Sequence, residues 1–242
     1  MLKKICGCAD EVIHREISLE NASLRSRWLK TSMRSLISGD FLFIDCDAFP
    51  LSALDKLVTC RRQVCAALDL NLPPRQFSLH PQIKKIYDDL GWHVPARYFN
   101  SGVMFWPDTA EAAALGERWH QLWKKSIEIG CTQDQPSLNA AIEDLGTNVK
   151  VLPRRYNAMV ERKSWGYRRP AILHFLKHDS AVDTVLHDIV EDTLRATEHP
   201  ELLDDFFATG YPWVNRNSVS RQLSCGNYVA ALKVLFKKAL SR

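Results

Sequence analysis

The chain has 242 residues, a mass of 27.7 kDa, 46% hydrophobic and 25% charged residues, and a formal net charge of +4. That is the makeup of a soluble globular protein with one large domain, or one domain and an appendage. A charge this small gives no argument for nucleic acid, no window reaches the roughly 20 apolar residues of a membrane span, and MLKKICGCADEVIHRE holds no apolar run suited to a secretory leader.

Residues 11–19 (EVIHREISL) read as a short strand. Residues 23–37 carry Leu24, Trp28, Leu29, Met33 and Leu36 at helical spacing, and Ser38-Gly39-Asp40 ends the pattern. Phe41-Leu42-Phe43-Ile44 comes next. Four apolar residues in a row suit a strand covered on both faces. Helix, short turn and apolar strand make an α/β cadence. Residues 51–57 read as a short helix, 64–70 as a second strand, Pro73-Pro74 as a loop and 80–90 as a helix. Residues 98–106 (YFNSGVMFW) read as a strand interrupted at Asn100-Ser101-Gly102. An amphipathic helix over 110–129 presents Leu115, Trp119, Leu122 and Trp123 on one side. A helix lies within 132–145, a short strand at 149–152, an apolar strand over 170–175, and an amphipathic helix over 182–197. No internal repeat is visible.

The seven cysteines include no CxxC pair, which excludes a zinc ribbon and suits reduced thiols in a cytoplasmic compartment. Charge is uneven. Residues 211–242 hold six of the 32 Lys and Arg residues and none of the 28 acids. A domain of 1–210 followed by a basic helical tail of 211–242 is therefore expected. In 228–240, Val229, Leu232, Leu235, Phe236, Ala239 and Leu240 share one helical side, with Lys233 and Lys237 opposite. Such a helix rests on anionic lipid or packs on the body, and the pattern suits both. The basic stretch 150–169 reads as a solvated surface.

The most informative segment is Asp45-Cys46-Asp47, at the end of the first apolar run. Carboxylates at i and i+2 on an extended backbone point to one side. Two such oxygen ligands hold Mn²⁺ or Mg²⁺ and leave coordination sites for a phosphate-bearing substrate. The plain alternative is that both Asp residues merely begin a turn. Four further segments accompany it. Gly102 in Asn100-Ser101-Gly102 permits close backbone approach to a ligand, or only a bulge. Asp134-Gln135, with Leu138-Asn139 after it, opens a helix, where Asp134 has the alternative role of a cap. Leu152-Pro153 with Tyr156-Asn157 also reads as a plain loop. His174 ends an apolar strand, where a histidine without a ligand is the commoner case.

The ordered set of DxD, NSG, DQ with LN, LP with YN, and a strand ending in His resembles the GT-A nucleotide-diphospho-sugar glycosyltransferases, with the likeness strongest to family 8 and its relatives. It covers roughly residues 24–175. The resemblance implies an α/β fold of GT-A type, a mixed sheet flanked by helices. Here the DxD arrives so early that the N-terminal β-α-β portion is expected to be missing, with residues 11–19 standing as its third strand. It implies Mn²⁺ or Mg²⁺ held by Asp45, Asp47 and His174. It implies a nucleotide-diphosphate donor, UDP-sugar in the usual case, contacted by Arg27 or Lys30, Asp45, Cys46, Asn100, Ser101 and Gly102. Asp134 and Gln135 would lie beneath the sugar and stabilise its developing positive charge in a retaining transfer to a glycan or lipid-linked acceptor. The family has Gly then Lys-Pro-Trp soon after its histidine; this chain has Leu176-Lys177-His178-Asp179, so Lys177 is the candidate phosphate contact at shorter spacing. The expected location is the cytoplasm or the inner membrane face.

Two other readings compete. Haloacid-dehalogenase-like phosphatases also begin with an apolar strand and DxD, but want Thr or Val where Phe49 stands, and the later acidic pairs Asp88-Asp89 and Asp204-Asp205 fall in helix-like segments. A non-catalytic member of the glycosyltransferase family is the third reading, motivated by the short N-terminal portion.

Overall fold

The computed structural model describes residues 10–55, 57, 62–160, 170–175, 219–224 and 226–240. Helix α1 spans Ala22–Leu36. Asn21 caps it, its side-chain oxygen accepting from the backbone N–H groups of Ser23 and Leu24, two donors a helix start would otherwise leave unpaired. Arg27, Lys30 and Arg34 fall at i, i+3 and i+7 and share a face of α1. Arg34 is buried and ties the helix end to the segment after it. It donates to the carbonyls of Ile37 and Gly39 at 2.6 and 2.7 Å and lies over the Phe41 ring.

Strand β1 spans Phe41–Ile44, β2 Ala48–Pro50, β3 Cys65–Leu68, β4 Phe99–Trp106, β5 Lys150–Val151, β6 Ala158–Val160 and β7 Ile172–Phe175. Four of them form a mixed sheet in the order β1-β4-β3-β5, antiparallel except for β3 with β5. The other three form a small sheet, β2-β7-β6, in which β2 runs antiparallel to β7 and β6 parallel to it. Helices α2 (Pro81–Leu90), α3 (Ala110–Glu128) and α4 (Gln135–Leu145) complete the main body.

Strand β4 is buried at all eight positions, and its alternation shows why. Met104 and Trp106 join Met33, Trp119 and Leu138 on the helical side of the sheet. Val103 and Phe105 pack toward Met159 and Ile172 of the small sheet. Cover on both faces is what its apolar, aromatic composition requires. The fold is thus mixed α/β, with its sheets flanked by helices. Close packing of α1 on α3 depends on Gly116, where an added Cβ would stand 2.6 Å from Cβ of Arg34.

Several sequence expectations are corrected. Residues 11–19 form no strand; their alternation suits one, but a strand needs a ladder, and among the described residues they have none. Among the described residues of 51–57 there is no α-helix; the Leu57 N–H bonds the Leu54 carbonyl in a tight turn. Strand β4 is not interrupted at 100–102. The break lies in its ladder with β3, whose register passes from Ala66↔Met104 to Leu68↔Phe99 and leaves Asn100, Ser101 and Gly102 as extra residues. The helix expected over 182–197, the 210/211 boundary and the basic residues at 161–169 lie outside the described residues.

Near the C-terminus, α5 (Val219–Ser224) and α6 (Tyr228–Leu240) pack on each other. Ala231 is buried in that contact, while Val229, Leu232, Phe236 and Leu240 are each more than half exposed. The apolar side of α6 therefore faces outward. No helix among the described residues is long and apolar enough to cross a membrane.

Candidate functional site

Asp45, Cys46 and Asp47 do not continue β1. They form a turn closed by the Ala48 N–H on the Asp45 carbonyl at 3.0 Å. The extended-backbone argument for their side chains is thereby corrected. What brings the carboxylates together with the histidine is sheet register. The turn delivers the chain into β2, and β2 pairs with β7 so that Ala48 stands opposite His174. Asp47 Oδ1 lies 3.4 Å from His174 Nε2. One ligand atom each from Asp45, Asp47 and His174 fall within 4.8 Å of one another.

Gly102 joins both ligand-bearing segments. Its carbonyl accepts the Asp45 N–H at 2.8 Å, and the space a side chain would fill is taken by the His174 imidazole. A Cβ there would overlap Cε1 and lie 2.8 Å from Nε2 and 2.9 Å from Nδ1. The close approach that a glycine permits is thus made by a histidine of this chain.

A second cluster adjoins the first. Lys30 Nζ sits between Asp45 at 2.7 Å and Asp134 at 3.1 Å, and Arg27 Nε lies 3.1 Å from the other Asp134 oxygen. Asp134 is buried, and its side chain makes no helix-capping bond; it accepts from Ser101 Oγ at 2.8 Å instead. The cap alternative is thereby corrected. Burial alone would raise the Asp134 pKa, but Lys30, Ser101 and Arg27 outweigh it and hold the carboxyl below its usual range. Burial opposes the charge on Lys30 too, yet Asp134 and Asp45 keep its pKa above the ordinary value. Asp45 is raised, chiefly by burial and further by the Asp134 charge, against the opposing pull of Lys30. Asp47 is lowered: burial would raise it, but the neighbouring His174 outweighs burial. Three carboxylates thus face two fixed cations.

The residues around these clusters are fixed by buried amides. Gln135 Oε1 accepts from the Ser101 N–H and from Asn100 Nδ2. Asn139 pairs with Phe99 as a neighbouring strand would, accepting its N–H at 2.6 Å and donating to its carbonyl at 2.8 Å. The loop bearing Asp134 is held from α3: Trp119 Nε1 donates to the Asp134 carbonyl and Trp123 Nε1 to that of Thr132.

The structure therefore brings together Arg27, Lys30, Asp45, Asp47, Asn100, Ser101, Gly102, Asp134, Gln135 and His174. Lys177 lies outside the described residues. Cys46 is an exposed thiol beside the cluster, and neither it nor Cys65 nor Cys131 is in a disulfide. Asn139 and Asn157 were singled out in their segments but given no role, and two contributors, Asp69 and Asn71, were missed. Asp69 had a signal, since it comes after an apolar strand as Asp45 does. Leu70 and Asn71 next to it both adopt left-handed backbone, with φ of 52° and 53°, a conformation that costs energy and here turns Asn71 onto the Asn157 carbonyl at 2.9 Å.

Beside Lys30 and Asp45 a cavity of about 400 Å³ opens. Leu29, Met33, Ile37, Phe43 and Ile44 give it apolar walls, and Lys30, Asp45 and Cys46 give it a polar end.

No protein-family model and no curated protein matches the chain. Among solved structures it is similar to mouse xyloside xylosyltransferase 1 in its apo form, at 14% identity and a TM-score of 0.42, over 62% of each chain. The matched part is less than two thirds of that enzyme's chain.

Proposed function

We propose that the chain is a metal-dependent glycosyltransferase that moves a sugar from a nucleotide-diphosphate donor, UDP-sugar in the first instance, to a glycan or lipid-linked acceptor with retention of configuration. The observation that carries this reading is the Asp45, Asp47 and His174 group set against Lys30. The donor set fits a divalent ion. Two carboxylates and one imidazole suit Mn²⁺ and, less well, Mg²⁺. Ligands on opposite sides of a Mg²⁺-sized ion stand about 4.2 Å apart. The three ligand atoms lie within 4.8 Å of one another, close to that span. The ion would supply Lewis-acid stabilisation of the departing diphosphate.

The chain's own residues do the rest on this reading. Lys30 and Arg27 turn toward donor phosphate, which releases Asp134 from its two cations. The freed Asp134 carboxylate, with Gln135 beside it, faces the positive charge that develops on the sugar. Asn100, Ser101 and Gly102 line the sugar, and the apolar cavity takes the base. Lys177 is assigned to phosphate by the resemblance alone. The catalytic unit is 1–210, and α6 in the 211–242 tail rests its exposed apolar side on anionic lipid.

Calorimetry tests the reading. UDP should bind with Mn²⁺ present and lose at least tenfold in affinity when the metal is chelated, and Asp47→Ala should behave as the chelated protein does. Binding of UDP that ignores both treatments overturns it. A second reading, a non-catalytic relative, is favoured by the exposed edge of β1, which among the described residues has no strand on its outer side. It predicts the same binding without sugar release from any UDP-sugar.

A further inference from the structure

His174 has two ring nitrogens, and only one of them faces Asp47. Which one carries the proton in the neutral ring is decided by a chain of buried amides. Asp69 stands at one end and accepts from Asn100 Nδ2 at 3.2 Å. A carboxylate accepts only, so Asn100 must present its NH₂ there. The Gly102 N–H reaches Asn100 Oδ1 at 2.9 Å, and a backbone N–H donates only, which fixes the same orientation from the other side. Asn100 Oδ1 therefore accepts from Asn157 as well, whose NH₂ lies 3.0 Å away. That leaves Asn157 Oδ1, an acceptor, 2.9 Å from His174 Nδ1. Nδ1 must carry the hydrogen.

We propose that Asn157 is a positioning residue which, through the Asp69–Asn100–Asn157 chain, holds neutral His174 as the Nδ1–H tautomer. Nε2 is then a bare lone pair directed toward Asp47, and the ring is ready to ligate before any ion arrives. The histidine side chain in water favours the other tautomer, so the protein reverses an intrinsic preference. Both amides and the ring are buried: Asn157 and His174 are 0% and 3% exposed, and Asn100 is 4% exposed, while Asp69 at the outer end is partly exposed. Water is thereby kept from exchanging with the amides. In the neutral state two acceptors, Nε2 and Asp47 Oδ1, face each other at 3.4 Å. A cation between them relieves that conflict, and a donor at Nε2 would not have created it. The tautomer claim stands without the glycosyltransferase reading; only its purpose rests on the metal site proposed above.

The test uses metal-free protein with ¹⁵N-labelled histidine, near pH 9, well above the ordinary imidazole range. Long-range ¹H–¹⁵N correlation identifies the tautomer, and His174→Gln assigns the signal. The expected result is a protonated Nδ1 and an unprotonated Nε2 in the wild type. Asn157→Asp, whose carboxylate still accepts from Nδ1, should keep this tautomer; Asn157→Leu should lose it and weaken Mn²⁺ binding about 10- to 100-fold. An Nε2–H tautomer, or a mixture, in the wild type overturns the proposal whatever the variants do, so failure of Asn157→Leu to fold leaves it testable. An Nδ1–H tautomer in a protein that binds no Mn²⁺ keeps the proposal and overturns the metal reading.

Discussion

Replacing Gly102 by alanine puts one methyl group into the space occupied by the His174 ring. The added Cβ would overlap Cε1 and stand 2.8 Å from Nε2. Ordinary contact begins near 3.4 Å, so either the ring or β4 must move. The ring has little freedom. It is 3% exposed, and Asn157 holds its Nδ1 at 2.9 Å. The backbone has little either, since the Gly102 carbonyl accepts from Asp45 and its N–H donates to Asn100. Overpacking of this kind costs about 1–3 kcal/mol. In a chain of this size each kcal/mol moves Tm by roughly 2–4 °C, so a fall of about 2–12 °C is expected in a thermal melt. Mn²⁺ affinity, measured by electron paramagnetic resonance of the free ion, should fall at least tenfold because the displaced ring carries a ligand atom. Gly116→Ala is the control. It overpacks Arg34 at 2.6 Å, beside Trp106 at the opposite end of the β1–β4 pairing from Gly102, and should lower Tm while leaving Mn²⁺ affinity within twofold. A Gly102→Ala protein that binds Mn²⁺ as the wild type does would refute the account of this glycine and of the site around it.

Lys30→Met removes the ammonium from Asp134, which is 6% exposed, and should destabilise by about 3–5 kcal/mol in a denaturant titration; adding Asp134→Asn should recover part of the loss, and the absence of recovery would show that the pair is not coupled. His120, half-buried and bonded to Thr31, is pulled down to about 4 by burial and then by Lys124. Its folded form excludes a proton that the unfolded chain binds, so its contribution is complete above pH 6.5 and is lost as pH falls toward 4. Discounted for solvent screening, that loss is about 1–2 kcal/mol, and His120→Gln should flatten the pH 7 to pH 5 difference in Tm by the corresponding amount. Removing residues 211–242 should abolish sedimentation with vesicles rich in phosphatidylserine while the trimmed protein keeps its Mn²⁺ affinity; unchanged sedimentation would sink the lipid assignment for α6.

What the sequence disclosed was mostly local. The first helix showed its apolar spacing, β1 showed the unbroken apolar run of a buried strand, and β4 showed as a strand with an interruption that the structure moves to its ladder with β3. The small sheet was half hidden, because Ala48–Pro50 is three residues long, ends in proline, and is a strand only through its partner β7. The same holds for the site. The DxD was visible, but its geometry depends on a turn and on a register opposite His174, neither of which spacing encodes. Asp134 looked like a cap because it precedes a helix; the residues that claim its side chain, Arg27, Lys30 and Ser101, come from α1 and β4. Gly102 suggested close approach without saying of what. Asn139 and Asn157 stood in the LN and YN segments without a role, since a buried amide is distinguished only by the partners that tertiary structure brings to it.

The charge arrangement suggests an order of binding. Three carboxylates, Asp45, Asp47 and Asp134, outnumber the two fixed cations, Lys30 and Arg27, in the ligand-free site. A diphosphate meets repulsion there. A divalent ion between Asp45, Asp47 and His174 changes the sign, and the same pocket then attracts the diphosphate. It also lessens the need of Asp45 for Lys30, since one carboxylate no longer depends on a shared ammonium. Lys30 is then able to move to phosphate at little cost, and Asp134 is left facing the sugar. On the proposed function, metal binds first and nucleotide second, and the two are coupled through Lys30 as well as through direct contact. The coupling separates the two routes: in Lys30→Met, Mn²⁺ should still favour UDP, but by a smaller factor than in the wild type.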